Sequence, residues 1–230
     1  GGRAWDLLRE VDAQLGVTKY AVLSNGAAVL DVTSGEWMYR NCLPDQARVP
    51  LVELLLDWGL PFEIYCQGKN YIQADRKEEV LSHAFTPQFR RILAEYSQFP
   101  EHMNEALPAG TVEKIHVFYV PPERRRELEE TALGWGPLSI TSSFQNNMEF
   151  TAPGVNKGTA VQALCKTLGL GPEQVMAFGD AGNDLELLRW AGWSFAMANA
   201  TEEAKAAARY VTGSNHDAGV GVAIEQYLLN

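Results

Sequence analysis

From residue 156 to its end, the chain alternates strictly between segments that predict helices and short apolar segments that predict strands. The helical segments are 159–168, 185–190 and 202–208, and the strands are VMAF, SFAMA and RYVT. Such alternation is typical of parallel strands joined by crossover helices, and strands that are apolar throughout are typical of a sheet buried on both faces. The sequence therefore predicts an α/β layer whose chemistry lies at the carboxyl ends of the strands.

The preceding part of the chain has a different pattern. Residues 1–43 predict a helix over Trp5–Leu15, a buried strand at YAVLS and a hairpin around Ser34-Gly35. From residue 44 to about 150, helical and hairpin segments alternate, among them LVELLLDWGL, FEIYCQGKNYIQ with its turn at Gly68–Asn70, KIHVFYV and PERRRELEETALG. This second pattern predicts a small α+β unit with an antiparallel sheet.

Charge and cysteine content restrict the partners of the chain. Its formal net charge is −10, which repels phosphate backbones and argues against nucleic acid as a partner. There is no stretch of about 18 apolar residues, so no membrane span is predicted. The three cysteines are widely spaced and form neither a metal motif nor a disulfide framework. These features predict a cytoplasmic protein, and they do not indicate an oligomeric state.

Two acids follow the predicted strand VMAF. Asp180 comes directly after the strand in the run GDAGND, and Asp184 follows four residues later in the first turn of a predicted helix. Carboxylates at such a place can hold Mg²⁺, which takes one or two of them together with water and phosphate oxygens. The alternative is structural, with Asp180 or Asn183 capping the helix and Asp184 interacting with its dipole.

Lys157 lies in the run VNKG, at the start of the helix that precedes VMAF. A cation there opposes the helix dipole, at a cost of roughly 0.3–1 kcal/mol if it is exposed. This placement favours an anionic partner, and the glycines Gly154 and Gly158 would let the backbone approach that ligand closely. The alternative is a solvated loop lysine.

Two residues near the start of the chain are weaker candidates. Arg3 follows two glycines and precedes a helix, where a guanidinium could bind a phosphate. Asn25 ends the YAVLS strand, so it would point to the same edge as the other candidates. The alternative for Asn25 is a plain turn residue beside Gly26.

Four segments together carry a family resemblance. The run GDAGNDLELLRWAGWSFAMANATEEAKAAARYVTGSNHDAGV, the segment VNKG, the segment GGR before a helix and the segment SNGA occur in this order from end to end. They resemble the metal, lysine, TGR and NGA motifs of the Cof-type phosphatases. These form the IIB-capped branch of the haloacid dehalogenase-like superfamily.

The resemblance implies an architecture of three segments. Residues 1–43 and 151–230 would form a Rossmann-like α/β core, and residues 44–150 would form an inserted α+β cap that determines substrate specificity. The aromatic residues Tyr65, Tyr71 and Phe144 of that middle segment are predicted to pack in the core instead of contacting ligand.

The resemblance also implies roles for the candidate residues. In the family, an aspartate attacks phosphorus and forms an aspartyl-phosphate that water then hydrolyses. Lys157 would balance the charge of the phosphate, and Asp180 would bind Mg²⁺, with Asp184 holding the metal directly or through water. The residues that would bind the substrate or its phosphate are Arg3, Asn25, Lys157 and Asn183.

The sequence departs from the family at its beginning. It contains no DxDGT motif, and none of its nine aspartates has another aspartate two residues away. Gly1 stands where the family has Ser or Thr before GR. We therefore expect the chain to lack the first two core strands, which would leave YAVLS without a strand linking it to VMAF, and to be inactive alone.

The function expected from the resemblance is that of a Mg²⁺-dependent phosphomonoester hydrolase. Its substrate would be a small phosphorylated metabolite such as a sugar phosphate, and its nucleophile would lie outside this chain. The alternatives are a non-catalytic remnant that binds a phosphorylated ligand or a partner chain, and a relative of the phosphomutases.

Overall fold

The structure is a computed structural model that describes residues 1–143 and 145–229. It divides into two compact units, Gly1–Val155, called the first unit below, and Asn156–Asn230, called the second unit. The three-segment division at residues 43 and 150 stays a prediction, and Phe144 lies outside the described residues. Tyr65 is buried and Tyr71 is half-buried, as expected of residues that pack in a core.

The first unit begins as predicted. A short 3-10 turn, Trp5–Leu8, continues into helix α1 (Arg9–Leu15), which ends because Gly16 adopts a left-handed conformation with φ 64°. An antiparallel sheet follows, formed by β1 (Tyr20–Leu23), β2 (Ala28–Asp31) and β3 (Trp37–Arg40) in that order. The predicted helix, the strand YAVLS and the hairpin around Ser34-Gly35 are confirmed.

The rest of the first unit is an α+β segment around a five-stranded antiparallel sheet, which confirms that prediction. Its strands are β4 (Phe62–Cys66), β5 (Lys69–Tyr71), β6 (Val112–Val117), β7 (Ser139–Thr141) and β8 (Met148–Thr151), in the order β5–β4–β6–β8–β7. Its helices are α2 (Asp45–Asp57), α3 (Lys77–Ser82), α4 (Pro87–Tyr96), α5 (Met103–Ala106) and α6 (Pro122–Gly134).

The turn of the hairpin β4–β5 is one residue earlier than predicted. Gln67 and Gly68 form it, with φ values of 52° and 74°, and Cys66 pairs with Lys69 across it. Positive φ at both central residues is the mark of a type I′ turn, whose backbone twist matches that of the strands. The prediction at Gly68–Asn70 placed the glycine first in the turn, although it occupies the second position.

The five-stranded sheet has one apolar and one polar face. Alternate residues such as Ile64, Ile115 and Phe150 pack with α2 and α6 in a core in which these three side chains are fully buried. The residues between them form the opposite surface, called the polar face below: Glu63, Tyr65, Lys114, His116, Glu149 and Thr151. All six are nevertheless buried.

The second unit confirms the predicted alternation. Its elements are α7 (Lys157–Leu168), β9 (Met176–Gly179), α8 (Leu185–Trp190), β10 (Trp193–Ala196), α9 (Glu202–Ala207), β11 (Tyr210–Val211) and α10 (Gly219–Leu228). The strands are parallel and lie in the order β11–β10–β9. Short strands and crossover helices in this arrangement place the residues after β9 and β10 at one carboxyl edge. Within the described ranges, no helix combines the length and apolar character needed to cross a membrane.

Candidate functional site

The turn after β9 holds the two acids in different environments. Asp180 is the first residue beyond the strand and is exposed. Asp184, at the start of α8, is 4% exposed. Its Oδ2 accepts hydrogen bonds from the backbone N–H groups of Asp180, at 3.0 Å, and Ala181, at 3.3 Å. The acid in the helix turn therefore folds back and fixes the backbone at the end of the strand.

Gly179 makes this folding back possible. A Cβ at this position would lie 2.5 Å from the Cβ of Asp184, closer than real Cβ atoms approach. Any larger residue at the end of β9 would push the Asp184 carboxylate away from the backbone that it holds. The glycine of the GDAGND run is therefore required by packing inside the turn.

Lys157 meets Asp184 from the preceding helix. It is the first residue of α7, and its Nζ donates to Asp184 Oδ1 at 2.5 Å. The side chains of Lys157 and Asp184 are 17% and 6% exposed. This partner offsets the unfavourable position of a cation at a helix N-terminus. The alternative of a solvated loop lysine is therefore wrong.

Gly158 brings the two helices close enough for this contact. A Cβ at Gly158 would lie 2.7 Å from the carbonyl carbon of Glu186, in the first turn of α8. Asn156 fixes the start of α7, because its Oδ1 accepts from the backbone N–H of Thr159 at 2.8 Å. Gly158 thus accommodates the backbone of α8, whereas the sequence suggested the approach of a ligand.

The donor set at this edge suits a hard cation. Asp180 and Asn183 are exposed, and the Asp180 carboxylate makes no hydrogen bond or ion pair with any residue that the structure describes. Mg²⁺ needs only one or two carboxylates when water and substrate supply the other oxygens. Across residues 1–143 and 145–229, no group of three or more His, Cys, Asp or Glu side chains is placed to hold a metal. The residues present therefore fit an ion with at most two protein carboxylates.

Asn25 and Arg3 belong to the first unit. Asn25 has φ 60°, in the left-handed region, and its Nδ2 donates to Glu149 Oε2 at 2.7 Å. The guanidinium of Arg3 lies 4.7 Å from the ring centroid of Phe89. Asn25 is thus more than a plain turn residue, because its side chain contacts the polar face. The phosphate-binding roles of both residues stay predictions.

The polar face contains a buried ion pair that no sequence pattern predicted. Lys114 Nζ donates to the backbone oxygen of Gly2 at 2.7 Å and to Glu149 Oε1 at 3.3 Å. Burial raises the pKa of Glu149, but the Lys114 ammonium, His116 and the Ser143 hydroxyl outweigh burial and hold that pKa below its ordinary value. Glu149 therefore stays ionised although it is 6% exposed.

A second group of side chains lies beside this ion pair on the polar face. Glu63 Oε1 lies 2.9 Å from His116 Nδ1 and accepts from the Tyr65 hydroxyl at 2.7 Å. Burial, with Glu63 nearby, raises the pKa of Tyr65 well above its ordinary value. The signal that could have revealed this face is the polar–apolar alternation in FEIYC, EKIHV and NMEFT, which has the period of a strand.

Comparisons with known proteins match this architecture. A family model described as haloacid dehalogenase-like hydrolase matches residues 1–224. Over 107 residues the chain is 39% identical to the 5-amino-6-(5-phospho-D-ribitylamino)uracil phosphatase YbjI of Escherichia coli strain K12, which covers 46% of this chain and 39% of that protein. Over 223 residues it is 24% identical to the phosphatase YwtE of the same description from Bacillus subtilis strain 168, which covers 90% and 78%.

The matches cover very different fractions of the relatives' own lengths. The chain spans only about two fifths of YbjI and of the Bacillus subtilis phosphatase YcsE, with 39% and 37% of their lengths matched. A solved haloacid dehalogenase-like hydrolase from Bacteroides thetaiotaomicron superposes with a TM-score of 0.80 at 23% identity, covering 98% of this chain and 84% of that one.

The subclass IIB sugar phosphatase BT4131 superposes with a TM-score of 0.75 at 23% identity, covering 98% of this chain and 83% of that one. At this identity, the likeness to both solved structures shows the fold. The match over residues 1–224, on a mixed α/β fold with a parallel sheet and a turn built from GDAGND, means that the chain belongs to the haloacid dehalogenase-like hydrolases.

Proposed function

We propose that this chain belongs to a Mg²⁺-dependent phosphatase. It would contribute the lysine that binds the phosphate, the aspartate that binds the metal and the segment that contacts the substrate. The substrate would be a small phosphorylated metabolite, such as a sugar phosphate. One observation carries the proposal. The Lys157 ammonium is held by Asp184 at the carboxyl edge of the parallel sheet, and Asp184 also binds the backbone N–H of the exposed Asp180.

The chemistry assigns a task to each of these residues. Asp180 would hold Mg²⁺, with Asp184 doing so directly or through water, and the bound ion would polarise phosphate oxygens. The Lys157 ammonium would balance the negative charge of the phosphoryl group. The residues that would contact the substrate or its phosphate are Arg3, Asn25, Lys157 and Asn183. The aspartyl-phosphate would form on a carboxylate that the present sequence does not contain.

The relatives support the class of substrate. YbjI and YwtE carry names that specify a phosphate ester of a ribityl chain, another relative from Methanothermobacter thermautotrophicus is a phosphoglycolate phosphatase, and BT4131 is described as a sugar phosphatase. The substrates that these names specify are all small phosphorylated metabolites. Such a substrate agrees with a net charge of −10, which disfavours nucleic acid, and with a cytoplasmic protein that has no membrane partner.

One observation favours a second candidate function. Because no two of the nine aspartates are two residues apart, the chain has no nucleophile and acid pair of the family type. A non-catalytic protein that binds a phosphorylated ligand or a partner chain would need only the lysine and the polar contacts.

A turnover assay tests whether the chain alone is catalytic, and a binding assay tests whether Lys157 binds phosphate. We expect the purified 230-residue chain to release no phosphate from ribitol 5-phosphate or glucose 6-phosphate with Mg²⁺, because none of its nine aspartates has the DxD spacing of the family's nucleophile and acid. It should still bind inorganic phosphate, and K157M should weaken that binding about tenfold through loss of one charge-assisted contact. The control is K166M, in the last turn of the same helix.

Two results would contradict the proposal. Mg²⁺-dependent turnover by the chain alone would mean that one of its own residues is the nucleophile. Equal phosphate affinity in K157M and in the wild type would remove the lysine from the phosphate site.

A further inference from the structure

A cavity lies at the amino ends of the parallel strands of the second unit. Its volume is about 380 Å³, within the range of roughly 300–1,000 Å³ that is usual for small-ligand pockets. Asp180 follows the opposite end of β9, about 13 Å from the first residue of that strand at the usual rise per residue. The residues that line the cavity lie just before or at the start of each strand: Pro172 and Glu173 before β9, Trp190 and Trp193 at β10, and Arg209 and Tyr210 at β11.

Aromatic rings form a fixed wall of this cavity. Trp193 and Tyr210 lie on neighbouring strands, with ring centroids 6.2 Å apart and ring planes 15° from parallel. The Trp193 indole N–H donates to the backbone oxygen of Glu173 at 3.2 Å. Tyr210 packs on Phe195 and Tyr227, with centroids at 5.0 and 5.4 Å. Trp193 and Tyr210 are nevertheless each 38% exposed, so a further ring can stack on them.

The two charged residues of the cavity offer different groups to a ligand. Arg209 is exposed, and its guanidinium makes no hydrogen bond or ion pair with any residue in the described ranges. The Glu173 carboxylate instead folds back over its own turn, since a Cβ at Gly171 would lie 2.2 Å from its Oε1. In a chain of net charge −10, an unpaired cation is a local site for an anion. A single guanidinium matches a single carboxylate, which it can bind through two parallel hydrogen bonds.

We infer that this cavity binds a small planar aromatic carboxylate. The ring of the ligand stacks on Trp193 and Tyr210, and its carboxylate pairs with Arg209. The bond between the Trp193 indole and Glu173 orients the stacking surface before the ligand arrives, which lowers the entropy lost on binding. The inference goes beyond the proposed function, because neither Lys157 nor Asp180 takes part.

Titration with 2-naphthoate tests the inference. This probe is a planar bicyclic carboxylate without phosphate, and the indole N–H signals of Trp190 and Trp193 in the ¹⁵N-labelled 230-residue chain report its binding. We expect both signals to shift with a Kd of about 1 mM or lower, as is usual for a ligand of this size. 2-Naphthamide keeps the ring without the charge, and cyclohexanecarboxylate keeps the charge without the flat ring. Each should bind about tenfold more weakly than 2-naphthoate.

Two variants separate the charge contact from stacking, with circular dichroism as the check that each folds. R209Q should weaken 2-naphthoate binding about tenfold and leave 2-naphthamide binding unchanged, because only the charge contact is lost. W193L should weaken the binding of both probes about tenfold through loss of the stacking surface. If W193L does not fold, R209Q with the two probes still decides.

Two controls should bind 2-naphthoate as the wild type does. R189Q makes the same charge change at an exposed arginine of the same unit that pairs with Glu186. K157M removes the lysine of the proposed phosphate site, so unchanged binding there makes this test independent of the proposed function.

Four results would overturn the inference. Equal 2-naphthoate affinity in R209Q and in the wild type would remove the anion site. Tighter binding of choline than of 2-naphthoate would identify an aromatic cage for cations instead. Indole signals that shift with protein concentration and not with 2-naphthoate would assign the surface to a contact between two copies of the chain. A Kd above about 10 mM for 2-naphthoate would mean that the cavity does not select this class of ligand.

Discussion

Two glycines allow the lysine and the acids of the second unit to meet. At Gly179 a Cβ would collide with Asp184, and at Gly158 it would collide with the backbone of Glu186. Neither glycine has the positive φ that usually explains a glycine. Sequence patterns identify glycines that form turns. Whether a glycine is needed where two segments contact each other depends on which segments pack together, and the sequence does not show this.

The first prediction concerns Gly158. G158A should lower the free energy of unfolding of the second unit by about 1–3 kcal/mol, because the added methyl group forces α7 away from α8. Urea denaturation followed by circular dichroism measures the change. G182A is the control, since a Cβ there meets nothing within 4 Å, and its effect should stay within about 0.5 kcal/mol. Equal stability of G158A and G182A would contradict the close approach.

At the scale of elements, the sequence predicted where the strands lie better than which of their faces are buried. The alternation of helix and strand predicts the parallel sheet of the second unit, because each step is local and the strands are mostly apolar. The polar face was not predicted, because a strand with alternating polar residues usually faces solvent on that side. Its burial depends on contacts between distant segments, such as that between Asn25 and Glu149, 124 residues apart.

The buried pair on β6 and β8 predicts a loss of stability in acid. Because the pKa of Glu149 is lowered below its ordinary 4.5 in the folded state, its ionised form contributes stability above about pH 4.5. That contribution disappears as the pH falls through the folded-state pKa. At pH 7, E149Q should lower the free energy of unfolding by about 3 kcal/mol, because it leaves the Lys114 charge buried without its partner. Unfolding curves between pH 3 and 7 measure both effects.

The control for E149Q is E130Q. Glu130 is 63% exposed and pairs with Arg126 on the surface of α6, so its loss should change stability by less than about 1 kcal/mol. If E149Q and E130Q have the same pH profile, the ion pair with Lys114 does not stabilise the fold.

Glu113, on the neighbouring strand β6, predicts the opposite effect of acid on stability. Burial raises the pKa of Glu113 more than Arg40 and the Ser24 hydroxyl lower it, and its Oε1 has no hydrogen-bond partner among the residues described. Its ionisation therefore costs stability at neutral pH, and the cost disappears as the pH falls towards 4.5. E113Q should raise the free energy of unfolding at pH 7, with a gain that vanishes in acid. A destabilised E113Q at pH 7 would contradict this assignment.

At the scale of the whole molecule, the candidate residues that the sequence predicted best are those that lie together in the second unit. Lys157, Asp180 and Asp184 are separated by a single helix–strand step, so the carboxyl-edge rule for parallel strands was enough to bring them together. Arg3 and Asn25 lie far from them in sequence, and their side chains contact Phe89 and Glu149 in the first unit. Such pairings between distant segments leave no periodic signal in the sequence.

The division into two units predicts two unfolding transitions. The first unit has its own core of buried side chains such as Leu51, Ile115 and Phe150, while the second has a smaller cluster around Leu188 and Ala204. A smaller core stabilises less, so the second unit should unfold at the lower temperature in scanning calorimetry. G158A should lower only that transition, by about 4 °C or more for a loss of about 1 kcal/mol in a unit of this size, and E149Q only the upper one. A single transition shifted by both variants would mean that the units unfold together.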